Sequence, residues 1–208
     1  SLRRQRQMCI RDSNKADQLY LQRGANINSV YIPSLCNYTH TYYNPIHSTF
    51  LCYHGEVPSH SLVTPKNKSQ HEWSDLTKYK GIISIPYEVS LMSLFEQFTM
   101  GMPFFFPSKS FWKQHANIQS VSAYWKPLRR YFGKDLEQSS TWIELSDLYT
   151  TFQSPNTYYF ESFDHLFQLL EQFVYVDDRE FRSIRSKQIR NQWCQHLLTY
   201  NITIIPNE

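Results

Sequence analysis

The stretch that decides the fold runs from Tyr79 to Lys109 and reads YKGIISIPYEVSLMSLFEQFTMGMPFFFPSK. Gly81 to Pro86 is an apolar run that predicts a buried strand. Leu91 to Met100 follows as a short helix, and Gly101 closes it because glycine readily adopts the left-handed conformation of helix ends. Phe104 to Phe106 is a second apolar strand. Strands apolar on both faces, joined by a helix, predict an α/β fold with a parallel sheet.

The remaining elements follow from the same patterns. Pro58 to Gln70 is polar and predicts a loop, and Ser108 to Ser140 predicts an irregular packed segment or lid. Two further strands, two helices and one helical turn are predicted from apolar runs and helical spacing. They are Ser48 to Gly55 and Tyr158 to Phe160 as strands, Ser162 to Val174 (capped by Ser162) and Asp177 to Tyr200 as helices, and Glu72 to Tyr79 as the turn.

These elements predict a division of the chain into four parts. Residues 1–13 form a non-native leader, because RRQRQMCIRDS is similar to a translated sequencing adaptor, which would make the chain a fragment from environmental sequencing. Residues 14–45 hold a partial helix, a short strand at Asn28 to Pro33 and an inter-domain linker. Residues 46–176 form the sheet domain, and residues 177–208 a C-terminal helix and tail.

The charge balance argues against a nucleic-acid partner. The chain has 21 Lys and Arg against 18 Asp and Glu. The leader holds four arginines and one aspartate, and taking these away leaves 17 basic and 17 acidic residues. A neutral body predicts no basic face. No apolar run approaches the length of a membrane span.

The turn between the two strands carries polar chemistry. Pro86 ends the first strand because proline cannot donate to a ladder. The first amides of the following helix lack internal partners and carry partial positive charge, so they can bind a diphosphate. Ser90 and Ser93 add hydroxyl donors. His54 and Gly55 end another strand, and because parallel strands share one carboxyl edge, we expect them near this turn.

Two carboxylates flank the turn. Glu96 leans back towards the helix start and can accept hydrogen bonds from the diol of a ribose, while Glu88 precedes the helix. An alternative is that Ser93 to Glu96, an S-x-x-E pattern, forms a capping box in which Glu96 bonds a backbone amide. Asp177 and Asp178 predict a solvated helix start rather than a metal site.

The central motif also carries a family resemblance. IPYEVSLMSLFEQFTMGMPFFFPS resembles the donor-binding signature of GT-B glycosyltransferases, with Glu88 and Glu96 matching its paired glutamates. VYIPSLCNYTHTYYNP and FLCYHGE resemble the inter-domain linker and first strand of the same half, and YYFESFDHLFQLLEQ the segment after the donor site.

The resemblance implies a trimmed, Rossmann-like half of a GT-B fold, which uses no cofactor beyond a nucleotide diphosphate sugar as donor and no metal. By carry-over, Glu96 binds the ribose, and Glu88, the predicted catalytic residue, holds the donor sugar. Ser90, Met92 and Ser93 bind the diphosphate. The acceptor is unknown, and its binding domain would lie in a missing N-terminal half.

Further residues are candidates around that donor. Gly55 would let backbone approach the phosphates, and His54 could contact them or act as a base. Lys109 and Lys78 are candidates to neutralise the diphosphate. Two other functions fit the same residues: a sugar-nucleotide epimerase, and a non-catalytic nucleotide-sugar-binding module in which the absent glycines of the turn reflect lost catalysis.

Overall fold

The computed structural model describes residues 30–33, 41–66, 72–85, 91–115 and 141–199, with the single positions 15, 18, 19, 22 and 26. The strands of this part are β1 (Phe50–His54), β2 (Val63–Pro65), β3 (Ile82–Ser84), β4 (Phe104–Pro107) and β5 (Thr157–Phe160). The α-helices are α1 (Trp73–Leu76), α2 (Met92–Thr99), α3 (Lys109–His115), α4 (Thr141–Glu144), α5 (Phe163–Glu171) and α6 (Arg179–Thr199), and a 3₁₀ helix spans Asp147–Tyr149.

The strands form one parallel sheet in the order β2-β1-β3-β4-β5. This confirms the predicted α/β fold with a Rossmann-like, all-parallel sheet and flanking helices. The chain passes from β1 outward to β2, then returns to place β3 on the other side of β1. The strand order therefore reverses between β1 and β3, and open α/β sheets bind ligands at the carboxyl ends of strands beside such a reversal.

Both faces of the sheet are buried, as the doubly apolar strands predict. Leu51, Ile82 and Phe104 point to one face, where they pack with Leu94 and Phe95 of α2. Their neighbours on the strands point to the other face, against α5; they are Phe50, Ile83 and Phe105, in contact with Leu166 and Leu170. Fully burying one such side chain contributes about 1.5–3 kcal/mol, so the two faces together hold the sheet between its helices.

The carboxyl end of α2 closes as predicted. Gly101 has a φ of 83°. Its amide donates to the carbonyl of Phe98 at 3.0 Å, and the amide of Met102 donates to the carbonyl of Gln97 at 3.1 Å. These two bonds form a Schellman motif, which satisfies carbonyls that the helix leaves without partners.

A buried ion pair joins α6 to the same end of α2. Arg182 donates from Nε to Asp178 Oδ1 at 2.8 Å and from Nη1 to the carbonyl of Thr99 at 3.1 Å. The two charged side chains are only 12% and 3% exposed. The guanidinium also fills the space beside Gly101, where a Cβ would lie 2.7 Å from Nη2. A cation is favourable here because the carboxyl end of a helix carries partial negative charge.

Two predicted irregular segments contain regular structure. The predicted loop of residues 58–70 holds β2, a three-residue edge strand in which Val63 and Thr64 are β-branched. The predicted irregular segment of residues 108–140 begins with α3, whose Phe111 and Trp112 are buried. Residues 116–140 lie outside the described part. The loop prediction is wrong for Val63–Pro65 and the irregular-segment prediction is wrong for Lys109–His115, because short elements have too few residues to establish a period.

Other predictions fail at the two ends of the chain. Asp177 is exposed as expected, but Asp178 is buried by its pair with Arg182. Phe181 and Ile184 of α6 are exposed. The described residues 30–33 of the predicted strand Asn28 to Pro33 belong to no strand; Trp193 of α6 donates from Nε1 to the carbonyl of Pro33 at 3.1 Å.

Ser162 caps α5 as predicted, since its Oγ accepts from the amide of His165 at 3.0 Å. A search of the described residues for a helix long and apolar enough to span a membrane finds none.

The Arg182–Asp178 pair makes a testable prediction about stability. We expect Arg182→Met to lower the free energy of unfolding by about 3 kcal/mol, because it leaves the buried Asp178 without its counter-charge. Urea unfolding followed by tryptophan fluorescence measures the change. Arg179→Met is the matched control, since Arg179 pairs with exposed Asp177 and should leave stability unchanged. Equal losses in the two variants would contradict a special role for the buried pair.

Candidate functional site

The candidate site lies at the carboxyl-end edge of the sheet, which is the edge formed by the residues that follow the strands. β1 ends there at His54, and its register partner in β3 is Ser84. The amide of Ile85 donates to the carbonyl of His54 at 2.9 Å, so the backbones of the two strands stay together to their ends. α2 follows β3 in the chain and begins at this same edge. The site is therefore built where the strand order reverses.

His54 and Ser93 meet across this edge. His54 Nε2 and Ser93 Oγ are 3.2 Å apart, a distance at which the imidazole tautomer decides which atom donates. The same-edge prediction for these two residues is therefore confirmed. Burial, followed by the positive charge of Lys66, lowers the pKa of His54 from 6.5 to about 4. The imidazole is thus uncharged at neutral pH and offers hydrogen bonds rather than a charge.

Ser84 adds a buried hydroxyl to the same place. It is fully buried, and within the described residues its Oγ has no hydrogen-bond partner. Ile82 faces α2, and side chains alternate along a strand, so Ser84 is on the face that α2 covers. A buried hydroxyl without a partner costs free energy, and such groups in native proteins often belong to functional sites.

The start of α2 differs from the capping-box alternative. The helix begins at Met92, and its N-cap is Leu91, whose side chain makes no capping hydrogen bond. Ser93 is therefore the second residue of the helix and cannot be its N-cap, so that alternative is wrong. Leu91 therefore supplies no side-chain cap to the first amides of α2, and the positive end of the helix dipole is directed at the carboxyl-end edge.

Glu96 lies on the same side of α2 as Ser93. Residues three apart on a helix are neighbours on its surface, and Glu96 is half-buried. Its predicted ribose role stays a prediction. Glu88 and Ser90 lie outside the described residues, as does the side chain of Met92, so their predicted roles stay predictions.

The backbone conformation and packing at position 55 require a glycine. Its φ is 75°, and a Cβ at this position would lie 2.6 Å from the Cβ of Ile85. Any larger residue would push β1 and β3 apart at their ends. The packing of Ile85 accounts for the glycine without a ligand, and the predicted phosphate contact stays a prediction.

The two predicted lysines are already paired. Lys109 follows β4 at the carboxyl-end edge, where its Nζ contacts Glu144 Oε2 and lies 5.3 Å from the ring centre of Tyr149. The hydrogen bond from Lys109 lowers the pKa of Glu144. Lys78 lies at the opposite, amino-end edge, before β3, where its Nζ binds Asp75 at 2.7 Å. Glu144 also pairs with Lys113, so these three side chains keep one net positive charge, whereas the Lys78–Asp75 pair lies at the other edge.

Lys66 is the cation that sequence patterns missed. It follows β2, and its amide donates to the carbonyl of Cys52 in β1 at 3.0 Å. Its Nζ lies 3.7 Å from the ring centre of Tyr53. The run Leu62-Val63-Thr64-Pro65 before it was the available signal for a short edge strand that would bring a lysine to this edge.

Other features of the described residues lie elsewhere. An open cavity of about 450 Å³ lies beside the start of β5, lined by the 150–155 loop and by Phe181, Ile184, Arg185 and Gln188 of α6. It is at the amino-end edge and includes none of the predicted site residues. A search of the described part for three or more His, Cys, Asp or Glu residues able to hold a metal ion finds no such group.

The buried imidazole predicts a pH dependence of stability. Between pH 6.5 and about pH 4 the unfolded chain binds a proton at His54 that the folded chain does not, so the free energy of unfolding falls as the pH falls. We expect His54→Gln to remove this part of the loss, which amounts to about 2.5 kcal/mol at a pH near 4.5. Urea unfolding of both proteins across this range measures it.

His47→Gln is the control for this experiment. His47 is exposed and lies at the amino-end edge, so its replacement should leave the wild-type pH dependence in place. Wild-type and His54→Gln curves that run parallel from neutral pH to pH 4 would show that His54 is not held uncharged.

No protein-family model, curated protein or solved structure matches this chain. The function is therefore inferred from the geometry of the carboxyl-end edge together with the motif of residues 85–108.

Proposed function

We propose that this chain is the nucleotide-sugar-binding half of a GT-B glycosyltransferase, which transfers a sugar from a nucleotide diphosphate sugar to an acceptor. The observation that carries the proposal is the contact between His54 and Ser93. It joins the end of β1 to the start of α2, where the N-cap residue Leu91 makes no side-chain capping bond, at the reversal of strand order. Such reversals bind nucleotides, and such helix starts bind phosphate.

The arrangement of the resembling segments supports the proposal. FLCYHGE contains β1, and the central motif contains α2 and β4. These segments are far apart in the sequence, and β1 pairs directly with β3, the strand that leads into the motif. The end of β1 in one quoted segment therefore meets the start of α2 in the other at one edge of one sheet, which a shared ligand would require.

The proposed reaction uses the start of α2 for charge stabilisation. Transfer breaks the bond between the anomeric carbon and the diphosphate oxygen, and the acceptor oxygen forms the new bond as it loses its proton. The leaving diphosphate gains negative charge. Fixed helix amides and the Ser93 hydroxyl stabilise that charge without reorganising. Glu96 binds the ribose, and Glu88 holds the donor sugar.

The His54–Ser93 pair also suggests a second function. A serine within hydrogen-bond distance of a histidine is the arrangement of nucleophilic hydrolases. However, a general base works best with a pKa near the operating pH, and burial lowers the pKa of His54 to about 4. The uncharged imidazole is better suited to donating or accepting a hydrogen bond, which favours ligand binding over activation of Ser93.

Glu96 provides the direct test. We expect the 208-residue chain to bind uridine or guanosine diphosphate sugars. Glu96→Gln should weaken that binding by at least about tenfold, because it removes the charged carboxylate that accepts hydrogen bonds from both hydroxyls of the ribose. Isothermal titration measures both affinities. Glu72→Gln is the control, since Glu72 is exposed at the amino-end edge and should bind as the wild type does.

Equal affinities of wild type and Glu96→Gln would reject the ribose role. Rapid hydrolysis of simple esters by the chain, abolished by Ser93→Ala, would favour the hydrolase instead. Product analysis with the complete enzyme separates a transferase from an epimerase, because only the epimerase converts the donor without an acceptor.

A further inference from the structure

The open cavity beside the start of β5 shares no residue with the proposed donor site. It lies at the amino-end edge of the sheet, whereas His54 and Ser93 meet at the carboxyl-end edge. Its volume of about 450 Å³ falls within the range of small-molecule sites. One wall is the 150–155 loop, and the other is α6. A ligand in this cavity would therefore bind independently of the donor.

One face of α6 forms an apolar wall of the cavity. The lining residues of the helix are spaced three or four apart, so they share one side of it; they are Phe181, Ile184, Arg185 and Gln188. Phe181 is 38% exposed and Ile184 is 52% exposed, although both side chains are large and apolar. Apolar side chains on one face of a helix usually pack against protein. Here they line the cavity together with Pro155, which gives it an apolar surface.

The opposite wall is held in place by its own hydrogen bonds. Gln153 donates from Nε2 to the carbonyl of Tyr149 at 2.8 Å. Ser154 Oγ accepts from the amide of Asn156 at 3.1 Å. These bonds fix the 150–155 loop against the start of β5. The cavity is therefore preformed, and a ligand does not have to order this wall in order to bind.

Arg185 brings a positive charge to the cavity. Burial and the charge of Asp147 raise the pKa of the Tyr31 hydroxyl, while the charge of Arg185 acts in the opposite direction. The guanidinium is therefore within electrostatic reach of Tyr31, whose hydroxyl lies 2.9 Å from Oγ1 of Thr151 in the cavity wall. This places the charge of the half-buried Arg185 towards the loop side of the cavity.

The charge of Arg185 is available to a ligand. The ion pairs within the described part of the chain do not include Arg185. Asp147 is fully buried and does not line the cavity, and its Oδ1 accepts from the Tyr31 hydroxyl at 2.6 Å. A ligand with a negative charge would therefore give the guanidinium a charged hydrogen-bond partner.

We propose that this cavity is a second binding site, which takes a small monoanion with an apolar body, of the class of aliphatic and aromatic carboxylic acids. The planar guanidinium of Arg185 matches a carboxylate, because it can donate two parallel hydrogen bonds. Phe181 and Ile184 cover the apolar body and remove it from water. Of the described residues that line the cavity, Arg185 alone is charged, and one positive charge balances a monoanion.

Titrations with simple acids and their amides test the proposal. Hexanoate and phenylacetate are compared with hexanamide and phenylacetamide, which have nearly the same shape and no charge. We expect both acids to bind the 208-residue chain about tenfold more tightly than their amides. Arg185→Gln should weaken acid binding by about tenfold and leave amide binding unchanged, because it removes the hydrogen bonds to the charged group. Protein-observed NMR measures these affinities.

Two further variants separate the apolar wall from the charge. Ile184→Ala removes part of the apolar wall and should weaken acids and amides by the same factor, about threefold. Arg190→Gln is the matched control for Arg185→Gln. Arg190 lies on the same helix, is exposed and does not line the cavity, so its replacement should leave every affinity unchanged. Melting temperatures show that each variant is folded.

Equal affinities for acid and amide, or for wild type and Arg185→Gln, would overturn the proposal. Inorganic phosphate that binds as tightly as hexanoate would also overturn it, because that result reports surface charge rather than a site for an apolar body. If neither acid binds the wild-type chain, the site itself is rejected. A saturating nucleotide sugar should leave acid affinity unchanged, so all these results leave the proposed function standing, and competition between the two would contradict a separate site.

Discussion

The rest of the structure depends on one constraint, which is that both faces of the β-sheet must be buried. The strands are short and parallel, and adjacent parallel strands need a connection that returns across the sheet. α2 makes that return between β3 and β4. Its eight residues rise about 12 Å, close to the roughly 13 Å of a four-residue strand, so it covers the sheet once and ends where β4 begins. The start of α2 is thereby brought to the carboxyl-end edge.

The sheet and its coverage were predictable because they depend on repeated apolar residues. Phe104 to Phe106 read as a core strand, and all three are fully buried. The helix end at Gly101 was predictable from the residue itself, because glycine can adopt a positive φ. β2 was not predictable in the same way, since three half-exposed residues at a sheet edge show no period. Its place depends on pairing with β1, which is a long-range contact.

The sequence predicted which residues of the candidate site come together through the topology of the sheet. It did not predict which charged side chains form ion pairs. His54 and Ser93 meet because ends of parallel strands share an edge. The partners of Lys109 and Asp178, namely Glu144 and Arg182, are distant or lie a helical turn away, and nothing in the residues themselves marks which cations are compensated. Gly55 shows the converse case, in which a residue predicted for a ligand is required by the side chain of Ile85.

The two ends of α2 are anchored very differently. The carboxyl end has a left-handed glycine, two closing hydrogen bonds and a buried guanidinium on the carbonyl of Thr99. At the amino end the N-cap residue Leu91 makes no side-chain capping bond, and the described hydrogen bond from this end to β1 is that between Ser93 and His54. We therefore expect fraying of α2 to start at its amino end rather than at the closed carboxyl end. The rate of amide hydrogen exchange would then fall along α2 from its amino end, next to the reversal of strand order between β1 and β3, to its carboxyl end. An anion bound at the amino end would slow exchange there and so reduce the difference in rate between the two ends.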